Sequence, residues 1–574
     1  MLRINKLYSM PESFEPVSFY SGINLILGEK DDTSNKTNGV GKTLLIEFIN
    51  FCLLKEFKSS RVSKIPHSDF SKDILICLDF NIGDINIISQ RSIGKHNEPT
   101  LIINGKIIEF SGVDDALSHL SNLTFKNSKV FLHPSFRTML GPLIRDERSE
   151  FKSIVECFDT KLHIPADYTP HLYLLGIDIS PYKEAKILQR EIDDLSTTKN
   201  KIKKDIEFLT GSKISSAKAE VNDLKSKVEH IKKAMDALDS DSSYEMIKDE
   251  VAELESSLEE LRNKRTILKL ELSRINSLVG DVYINDEEVI EVYNKFKVGL
   301  GDAIKKELDD VISFKKKIDH FQHTLLNTRK ETLLSELRKI SDKLYTVNKL
   351  CKEKASVFEQ AGGFKSLKIL IMTYQKKLEE YSQLSSLIKK FEDFDSKWKL
   401  KKSERSSMII SLDLSIMDNE ATIESFEETI LSMHEYVFGN RKCSFEIKAT
   451  EKKETISMDL RIDDDGSHSN EREKVFFYDL ALILTEETFE RHPGLLIHDN
   501  IFDVDQDTLI KSLNYLAEKS SCLNDAQYIL TLNSDKISEI DKRELKLDIN
   551  YFKRASLTKT NRFLGRRYQE KSRS

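Results

Sequence analysis

Hydrophobic and polar positions follow one pattern near the two ends of the chain and another in its middle. Near the start, the apolar run at residues 23–27 predicts a buried strand, and apolar positions at 44–49 have the spacing of a helix face. Alternating segments typical of strands follow at residues 74–78, 85–88 and 101–103. The last one precedes Asn104-Gly105, a strong hairpin signal. Residues 1–180 are therefore expected to form an α/β region in which a β-meander follows the first strand–helix unit.

The middle of the chain has the pattern of coiled-coil helices. Proline is absent between Pro181 and Pro493, and apolar residues recur at intervals of three and four with charged residues between them. The predicted segments are an ascending coil (181–278, broken at 239–243), an apex turn (279–302) and a descending coil (303–435, with an elbow near 362). Because α/β sequence lies at both ends, one antiparallel hairpin arm is favoured. A parallel rod formed between two chains is the alternative.

The last part of the chain, residues 436–550, returns to an α/β pattern. Strands are expected at residues 443–449, 455–462, 494–500 and 528–532, and a helix at 474–490. Residues 551–574 form a basic tail. Such a tail is either a disordered solubilising end or, through salt-sensitive phosphate contacts, a site that docks DNA or a partner.

Composition and charge narrow the class of protein. The 574 residues suffice for several domains, and 32% charged residues is well above an ordinary globular domain. The net charge of −7 gives no overall attraction to nucleic acid, so any such binding must be local. The six cysteines form no C-x-x-C pair, and no apolar run is as long as a membrane span. A cytoplasmic protein with no membrane partner is expected.

A phosphate-binding loop is predicted between the first strand and the first helix. The stretch N-G-V-G-K-T-L comprises Asn38, Gly39, Val40, Gly41, Lys42, Thr43 and Leu44. Glycines let backbone N–H groups curl around phosphate oxygens, and the helix N-terminus adds partial positive charge. Lys42 would reach the β- and γ-phosphates of ATP, and Thr43 would ligate Mg²⁺. The strict pattern G-x-x-x-x-G-K-[ST] is not met, because Lys36 stands where its first glycine would be.

Two further motifs complete a family resemblance. H-D-N-I-F-D-V-D at residues 498–505 ends an apolar strand in an acid, and Q-Y-I-L-T-L-N at 527–533 is a second apolar strand. With half of a nucleotide-binding domain at each end of a long coil, the chain resembles the SMC-like ABC ATPases, a superfamily that includes RecN. It is most similar to the LmuB-type component of Lamassu-type three-component defence systems.

The resemblance implies a fold, cofactors and partners. The fold is an α/β ABC-type ATPase head assembled from the N- and C-terminal halves, with a long antiparallel coiled-coil arm. Lys42 and Thr43 are the implied phosphate-loop pair, and Asp499 is the implied acid that completes the Mg²⁺ shell. Two heads would form a homodimer around ATP. Double-stranded DNA, a nuclease effector and a small accessory subunit are the implied partners.

Three departures from the family pattern affect catalysis. The glutamate expected after Asp499 is Asn500, whose amide cannot accept a proton from the attacking water; a general base contributes roughly 10²–10⁴ in rate. Asp503 and His498 are the candidate substitutes. The signature segment lacks its glycines, so that Ser469 and Asn470 are the candidates there. The switch histidine is absent, and Leu532 and Asn533 occupy its place.

The expected function is a slow ATPase, or an ATP-held switch that needs DNA or a partner before it hydrolyses. Activation of a nuclease in antiphage or antiplasmid defence follows from the resemblance alone. A RecN-like DNA-repair ATPase is one alternative. A scaffold that holds ATP without hydrolysing it and a purely structural coiled-coil rod are the others.

Overall fold

The computed structural model describes residues 1–31, 37–66, 68–125, 132–162, 164–237, 245–281, 327–350, 364–462, 468–537 and 541–565. These residues divide into two compact units. The head unit contains the described residues of 1–189 and of 403–565, and the helical unit contains those of 190–402. None of the helices in the described ranges has the length and apolarity needed to cross a lipid bilayer.

The strands are β1 (Leu2–Met10), β2 (Val17–Ser18), β3 (Gly22–Gly28), β4 (Leu75–Ile82), β5 (Ile85–Ser92), β6 (Thr100–Ile103), β7 (Lys106–Glu109), β8 (Ile144–Arg145), β9 (Ser444–Ala449), β10 (Ile456–Arg461), β11 (Leu495–Asp499), β12 (Gln527–Asn533) and β13 (Lys553–Leu557).

The helices are α1 (Lys42–Cys52), α2 (Val113–Thr124), α3 (Phe136–Leu143), α4 (Thr169–Leu174), α5 (Ile179–Thr210), α6 (Ile214–Ala237), α7 (Glu245–Asp281), α8 (327–350), α9 (Phe364–Asp418), α10 (Glu420–Phe438), α11 (His468–Leu484), α12 (Glu486–Phe489), α13 (Gln506–Glu518), α14 (Asp541–Glu544) and α15 (Ile549–Phe552). Short 3₁₀ turns lie at Arg61–Lys64, Glu147–Ser149, Thr160–Leu162 and Ser534–Lys536.

The head unit is built on two larger sheets. Five parallel strands lie in the order β13-β3-β12-β11-β8, and six antiparallel strands lie in the order β2-β1-β4-β5-β6-β7. The predicted strands at 74–78, 85–88 and 101–103 are confirmed as parts of β4, β5 and β6. Asn104 and Gly105 both have positive φ, as the tight turn between β6 and β7 requires.

The parallel sheet is covered on both faces, as parallel sheets usually are. Along β3, Leu25 and Leu27 enter one hydrophobic core while Ile26 enters the other. The first core includes α10, α11 and α13; the second lies between the parallel sheet, α1 and the antiparallel sheet. This layering explains why β3, β11 and β12 read as continuous apolar runs, with every residue buried.

Strands from both ends of the chain meet in the parallel sheet. β3 lies between β12 and β13, and Gly28 at the end of β3 pairs with Asn533 at the end of β12. The predicted strands at 494–500 and 528–532 are confirmed as β11 and β12. Residues 553–565, by contrast, belong to the head unit, so they are not part of the basic tail that was expected from residue 551.

The helical unit differs from the predicted ascending coil at residues 211–213. Gly211 has φ of 64° and follows the last residue of α5, which is the geometry of a glycine-terminated helix. Beyond this turn α6 does not continue α5 as one straight helix along α9. Lys199 and Lys218 are nineteen positions apart, yet their partners on α9, Asp395 and Glu392, are three positions apart.

The break at 211–213 was not predicted within the ascending coil (181–278), for which a break was expected at 239–243. Heptad spacing correctly indicated helices, but α5 and α6 share one apolar cluster with α9 of the same chain. The cluster comprises Ile202, Ile206, Ala217, Leu224, Leu384, Leu387 and Ile388. The break at 239–243, the elbow near 362 and all of the apex turn beyond Asp281 lie outside the described residues.

A buried carboxyl group lies between α11 and α13 in the head unit. Glu473 is fully buried, and the Ser512 hydroxyl donates to its Oε2 at 3.2 Å. Its Oε1 has no hydrogen-bond partner. Burial raises the pKa of Glu473 from 4.5 to about 8, so the folded protein keeps this proton at neutral pH.

Replacing Glu473 by glutamine should flatten the pH dependence of stability. Between pH 5 and 8 the unfolded chain has released this proton while the folded chain retains it, so the free energy of unfolding falls as pH rises. The fall due to Glu473 is about 3 kcal/mol. Urea unfolding of wild type and Glu473→Gln at pH 5 and pH 8 measures it. The exposed Glu486→Gln is the control, and equal pH slopes in wild type and Glu473→Gln would contradict the assignment.

Candidate functional site

The loop between β3 and α1 has the backbone geometry of a phosphate cradle. Gly39 and Gly41 have φ of 70° and 112°, in the left-handed region that glycine adopts without strain. Gly41 is the N-cap of α1, and no side chain caps the first N–H groups of that helix. Those donors and the helix dipole make this N-terminus suited to an anion. Residues 32–36 of the loop lie outside the described part.

The Lys42 side chain is held beside this loop by two hydrogen bonds from its Nζ. Its Nζ donates to Oδ1 of Asn533 at 2.5 Å and to the carbonyl of Thr37 at 3.4 Å. Burial lowers the pKa of Lys42, and the charges of Asp499 and Glu147 oppose that effect. A Cβ at Gly28 would lie 2.7 Å from the Thr37 carbonyl oxygen and 2.6 Å from the Lys42 Nζ, so a larger residue would not fit without a backbone shift. Thus Gly28, which lies before the loop, makes room for the lysine.

Asn533 fastens the lysine to the loop. Its Oδ1 accepts from Lys42, and its Nδ2 donates to Oδ1 of Asn38 at 2.9 Å. In the sequence, Asn533 is notable only because it stands where the family's switch histidine is expected. In the structure it links the end of β12 to the phosphate loop.

Asp499 and Thr43, the predicted metal pair, are brought together at the end of β11. Asp499 is fully buried; Thr531 donates to its Oδ1 at 2.8 Å, and the Thr43 side chain also bonds the carboxylate. Its Oδ2 has no hydrogen-bond partner. Burial raises the pKa of Asp499 to about 6, and the charge of Glu147 adds to this rise.

The residues present fit a Mg²⁺ ion. An unpartnered buried carboxylate oxygen beside a threonine hydroxyl is an oxygen donor set, which Mg²⁺ prefers. Mg²⁺ is usually held by one or two carboxylates together with substrate phosphates, so a larger ligand cluster is not needed. In the described ranges, no group of three His, Cys, Asp or Glu side chains could hold a metal by itself.

The other predicted loop residues divide into backbone and core roles. Val40 and Leu44 are buried apolar side chains in the second core, so they could offer only backbone groups to a ligand. Ser469 and Asn470 lie in the first turn of α11. The side chain of Ser469 lies outside the described part.

The two candidate bases named from the sequence are both engaged elsewhere. His498 is fully buried, and its ring nitrogens face Asp479 at 2.9 Å and the Tyr528 hydroxyl at 3.0 Å. Burial lowers its pKa. Asp503 pairs with Lys536 at 2.5 Å, and this hydrogen bond lowers the pKa of Asp503. Neither placement favours a role as the base.

His498 belongs to a buried ionic network beneath the site. Asp479 of α11 pairs with Nε of Arg145 at 2.6 Å and contacts His498, and all three side chains are fully buried. Arg145 also donates to the carbonyls of Ser153 and Ile154. The network therefore joins β8, β11 and α11, which is a structural role.

Glu147 is a site residue that the sequence analysis missed. It begins the 3₁₀ turn after β8, and its Oε1 accepts from Nδ2 of Asn500 at 2.9 Å. Asn500 has φ of 64°, a left-handed conformation that asparagine tolerates better than most residues. The signal that could have identified Glu147 in the sequence is a polar residue just after a buried strand. That signal is weak here, because β8 has only two residues.

The C-terminal clasp, residues 558–565, holds the phosphate loop from outside. Arg562 donates to the carbonyl of Gly39 at 3.0 Å, the Phe563 N–H donates to that of Val40 at 3.1 Å, and Lys559 donates to that of Asn38. A Cβ on Gly41 would lie 2.6 Å from Phe563 Cβ. Basic residues expected in a tail thus contact the loop itself.

Truncating Phe563 should loosen the loop. The ring is 4% exposed and lies 4.7 and 5.3 Å from the ring centroids of Phe14 and Phe48. Phe563→Ala should lower the free energy of unfolding by about 3–5 kcal/mol and weaken ATP binding. Urea unfolding and titration with a fluorescent ATP analogue measure the two effects.

Two control variants help to interpret the unfolding and ATP-binding measurements on Phe563→Ala. Phe563→Leu keeps most of the volume and should cost less than about 1.5 kcal/mol. Tyr551→Ala changes an aromatic residue that is 69% exposed, and it should change neither quantity. Unchanged ATP affinity in folded Phe563→Ala would show that the clasp does not shape the loop.

Comparisons with known proteins identify uncharacterised relatives. A family model described as "Uncharacterised protein conserved in bacteria (DUF2326)" matches residues 427–568. "Uncharacterized protein YydD" of Bacillus subtilis (strain 168) is 23% identical over 560 residues, which cover 92% of each chain.

Similar solved structures include two Smc head domains. One, from Pyrococcus yayanosii, has a coiled coil and joint; it covers 95% of this chain and 94% of its own, at 13% identity and a TM-score of 0.33. Another, from Pyrococcus furiosus, has an extended coiled coil and is bound to the C-terminal domain of ScpA. It covers 93% of this chain and 91% of its own, at 13% identity and a TM-score of 0.33. Both TM-scores are low, so these similarities add nothing to the geometry of the phosphate loop.

Proposed function

We propose that the protein is an SMC-like ATPase that binds ATP with Mg²⁺. The observation that carries the proposal is the grouping of Lys42, Thr43 and Asp499 at one edge of the parallel sheet. A buried cation, a hydroxyl and a carboxylate with an unpartnered oxygen lie at a helix N-terminus. These are the groups that phosphate and Mg²⁺ require.

Binding would exchange internal contacts for contacts with ATP. The Lys42 Nζ would leave the Thr37 carbonyl for β- and γ-phosphate oxygens, while Asn533 stays bonded to that Nζ and to Asn38 of the loop. Thr43 and Asp499 would hold Mg²⁺, which when bound neutralises charge on the phosphate oxygens. The clasp would keep the loop carbonyls of Asn38, Gly39 and Val40 turned away from the anion.

Head pairing is the next part of the proposal. Ser469 and Asn470 would face the γ-phosphate held by a second copy, so that ATP joins two heads. Three residues after Ser469, Arg472 donates to the carbonyl of Asn500 at 2.9 Å. This contact supports the idea that the start of α11 responds to the loop after β11.

The wider role we propose is DNA-dependent defence. The paired heads would clamp or sense double-stranded DNA and activate a nuclease effector with a small accessory subunit, as in Lamassu-type antiphage or antiplasmid systems. A RecN-like repair ATPase is the alternative with the same chemistry. A scaffold that binds ATP without hydrolysis is the other alternative, supported by Asn500.

Lys42→Ala tests ATP binding. It should weaken ATP binding at least about tenfold, or 1.4 kcal/mol, because charge-assisted hydrogen bonds to phosphate are lost. The same variant should abolish ATP turnover in the presence of linear double-stranded DNA. Lys95→Ala, at an exposed surface lysine, is the matched control. Equal affinity in wild type and Lys42→Ala would sink the ATP assignment.

A genetic comparison separates defence from repair. Cells carrying the wild-type gene with its neighbours should resist phage or plasmid entry, and cells carrying Lys42→Ala should not. Sensitivity of the Lys42→Ala strain to agents that break double-stranded DNA, without any change in phage or plasmid resistance, would favour the RecN-like alternative.

A further inference from the structure

The position that lacks a catalytic carboxylate faces a carboxylate from a neighbouring strand. β8 and β11 are parallel neighbours, and Arg145 pairs with His498. Glu147 and Asn500 each follow that pair by two residues, so both emerge at the same edge of the sheet. There Nδ2 of Asn500 donates to Oε1 of Glu147 at 2.9 Å. Although position 500 carries an amide instead of an acid, the carboxylate of Glu147 therefore lies beside it.

Glu147 also lies within the electrostatic reach of the phosphate site. Its charge raises the pKa of both Lys42 and Asp499. Glu147 is exposed, as a group that must meet a water molecule should be. Since a carboxylate offers about four lone-pair sites, the bond from Asn500 leaves capacity to accept a proton from water.

The turn that carries Glu147 is fastened to the helix that carries Lys42 and Thr43. Arg148 donates from Nη2 to Glu47 of α1 at 2.5 Å and to Asp146 at 2.7 Å. Asp146 also caps the turn by accepting from the Arg148 N–H at 2.9 Å. Glu47 is 1% exposed and is bonded by Ser60 and Lys55 as well. Such fixed support is what a preorganised catalytic group needs.

Nearby acids are less suited to the same task. Asp146 is committed to Arg148, Asp503 is paired with Lys536, and Asp499 is assigned to Mg²⁺. Asp479 is buried in the ionic network with Arg145 and His498. Glu147 combines exposure, a positioning hydrogen bond from Asn500 and an electrostatic effect on Lys42 of the phosphate loop.

We propose that Glu147 is the general base for ATP hydrolysis and that Asn500 is its positioning residue. This inference rests on the proposed function. As the water oxygen bonds to the γ-phosphorus, one water proton passes to the Glu147 carboxylate. The bond from the γ-phosphorus to the β–γ bridging oxygen breaks, and its electron pair leaves with ADP. Glu147 then returns the proton to solvent, and inorganic phosphate departs.

Glu147→Gln is the direct test, because it preserves shape and removes the basic oxygen. With linear double-stranded DNA present, kcat should fall roughly 10²–10⁴-fold, while ATP affinity should change less than about threefold. The nucleotide recovered with the variant after gel filtration should be ATP rather than ADP. Glu150→Gln is the matched control, because Glu150 lies three residues away and pairs with Lys152. It should behave as wild type.

A reciprocal exchange separates a base from a structural residue. Glu147→Gln/Asn500→Glu puts the carboxylate just after β11 and the amide on the turn, with the hydrogen-bonding groups exchanged. It should recover at least about tenfold in kcat over Glu147→Gln. Glu147→Asp keeps a carboxylate on a shorter stem and should give an intermediate kcat, which keeps the test usable if Glu147→Gln unfolds.

The outcomes distinguish this inference from the proposed function. Lys42-dependent ATP turnover that persists in Glu147→Gln overturns the role of Glu147 and leaves the ATPase standing. Tight ATP binding by wild type without any turnover, even with DNA, also overturns it and favours the scaffold. No ATP binding by wild type refutes the proposed function itself.

Discussion

The register between β3 and β12 determines where the groups of the candidate ATP site lie. It pairs Gly28 with Asn533, and the next pairing sets Asp499 opposite Thr531. Because the strands are parallel, their carboxyl ends meet at one edge although they come from opposite ends of the chain. A slip of one residue would turn each side chain to the other face. The buried Gln527 amide secures β1 beside this sheet, since it bonds both the N–H and the carbonyl of Ile4.

This arrangement buries two charged groups, Lys42 and Asp499, at an energetic cost that ATP with Mg²⁺ would reduce. Burial disfavours the charged forms of both Lys42 and Asp499, lowering the pKa of the lysine and raising that of the acid. Their mutual attraction offsets part of this cost. Phosphate oxygens would supply the negative charge that Lys42 lacks, and a metal ion would supply the positive charge that Asp499 lacks. The same burial that disfavours these two charges would strengthen each of these contacts.

Local pattern predicted the central strands and the phosphate loop of the head unit, because those strands are buried and the loop has distinctive chemistry. The helix expected at 474–490 instead spans His468–Leu484 and is followed by the short helix Glu486–Phe489. The apolar runs of β3, β11 and β12 and the Gly-Lys-Thr sequence at residues 41–43 needed no tertiary information. β13 was missed because K-R-A-S-L is a polar edge strand, whose pairing is irregular at Lys553 and Ala555. Its place beside β3 depends on a partner more than 500 residues away in the chain.

The helical unit shows a different limit of sequence pattern. Heptad spacing reports that one helix face is apolar, but it does not specify which helix covers that face. Thr210-Gly211-Ser212 is a recognisable helix end, and Gly211 adopts the expected left-handed conformation. The regular apolar spacing on both sides hid it. After this break, Ala217 and Leu224 of α6 join one apolar cluster with residues of α5 and α9.

Asn500 illustrates why a motif departure is a weak argument for lost chemistry. A catalytic carboxylate is defined by its place relative to the γ-phosphate, and two neighbouring parallel strands can deliver a side chain to the same place. Asn500 cannot act as a base, but its amide can hold one, as it does at Oε1 of Glu147. Read in this way, asparagine at 500 and glutamate at 147 form one functional pair. A scaffold that only held ATP would have no need for an exposed carboxylate fixed, through Arg148 and Glu47, to the phosphate-loop helix.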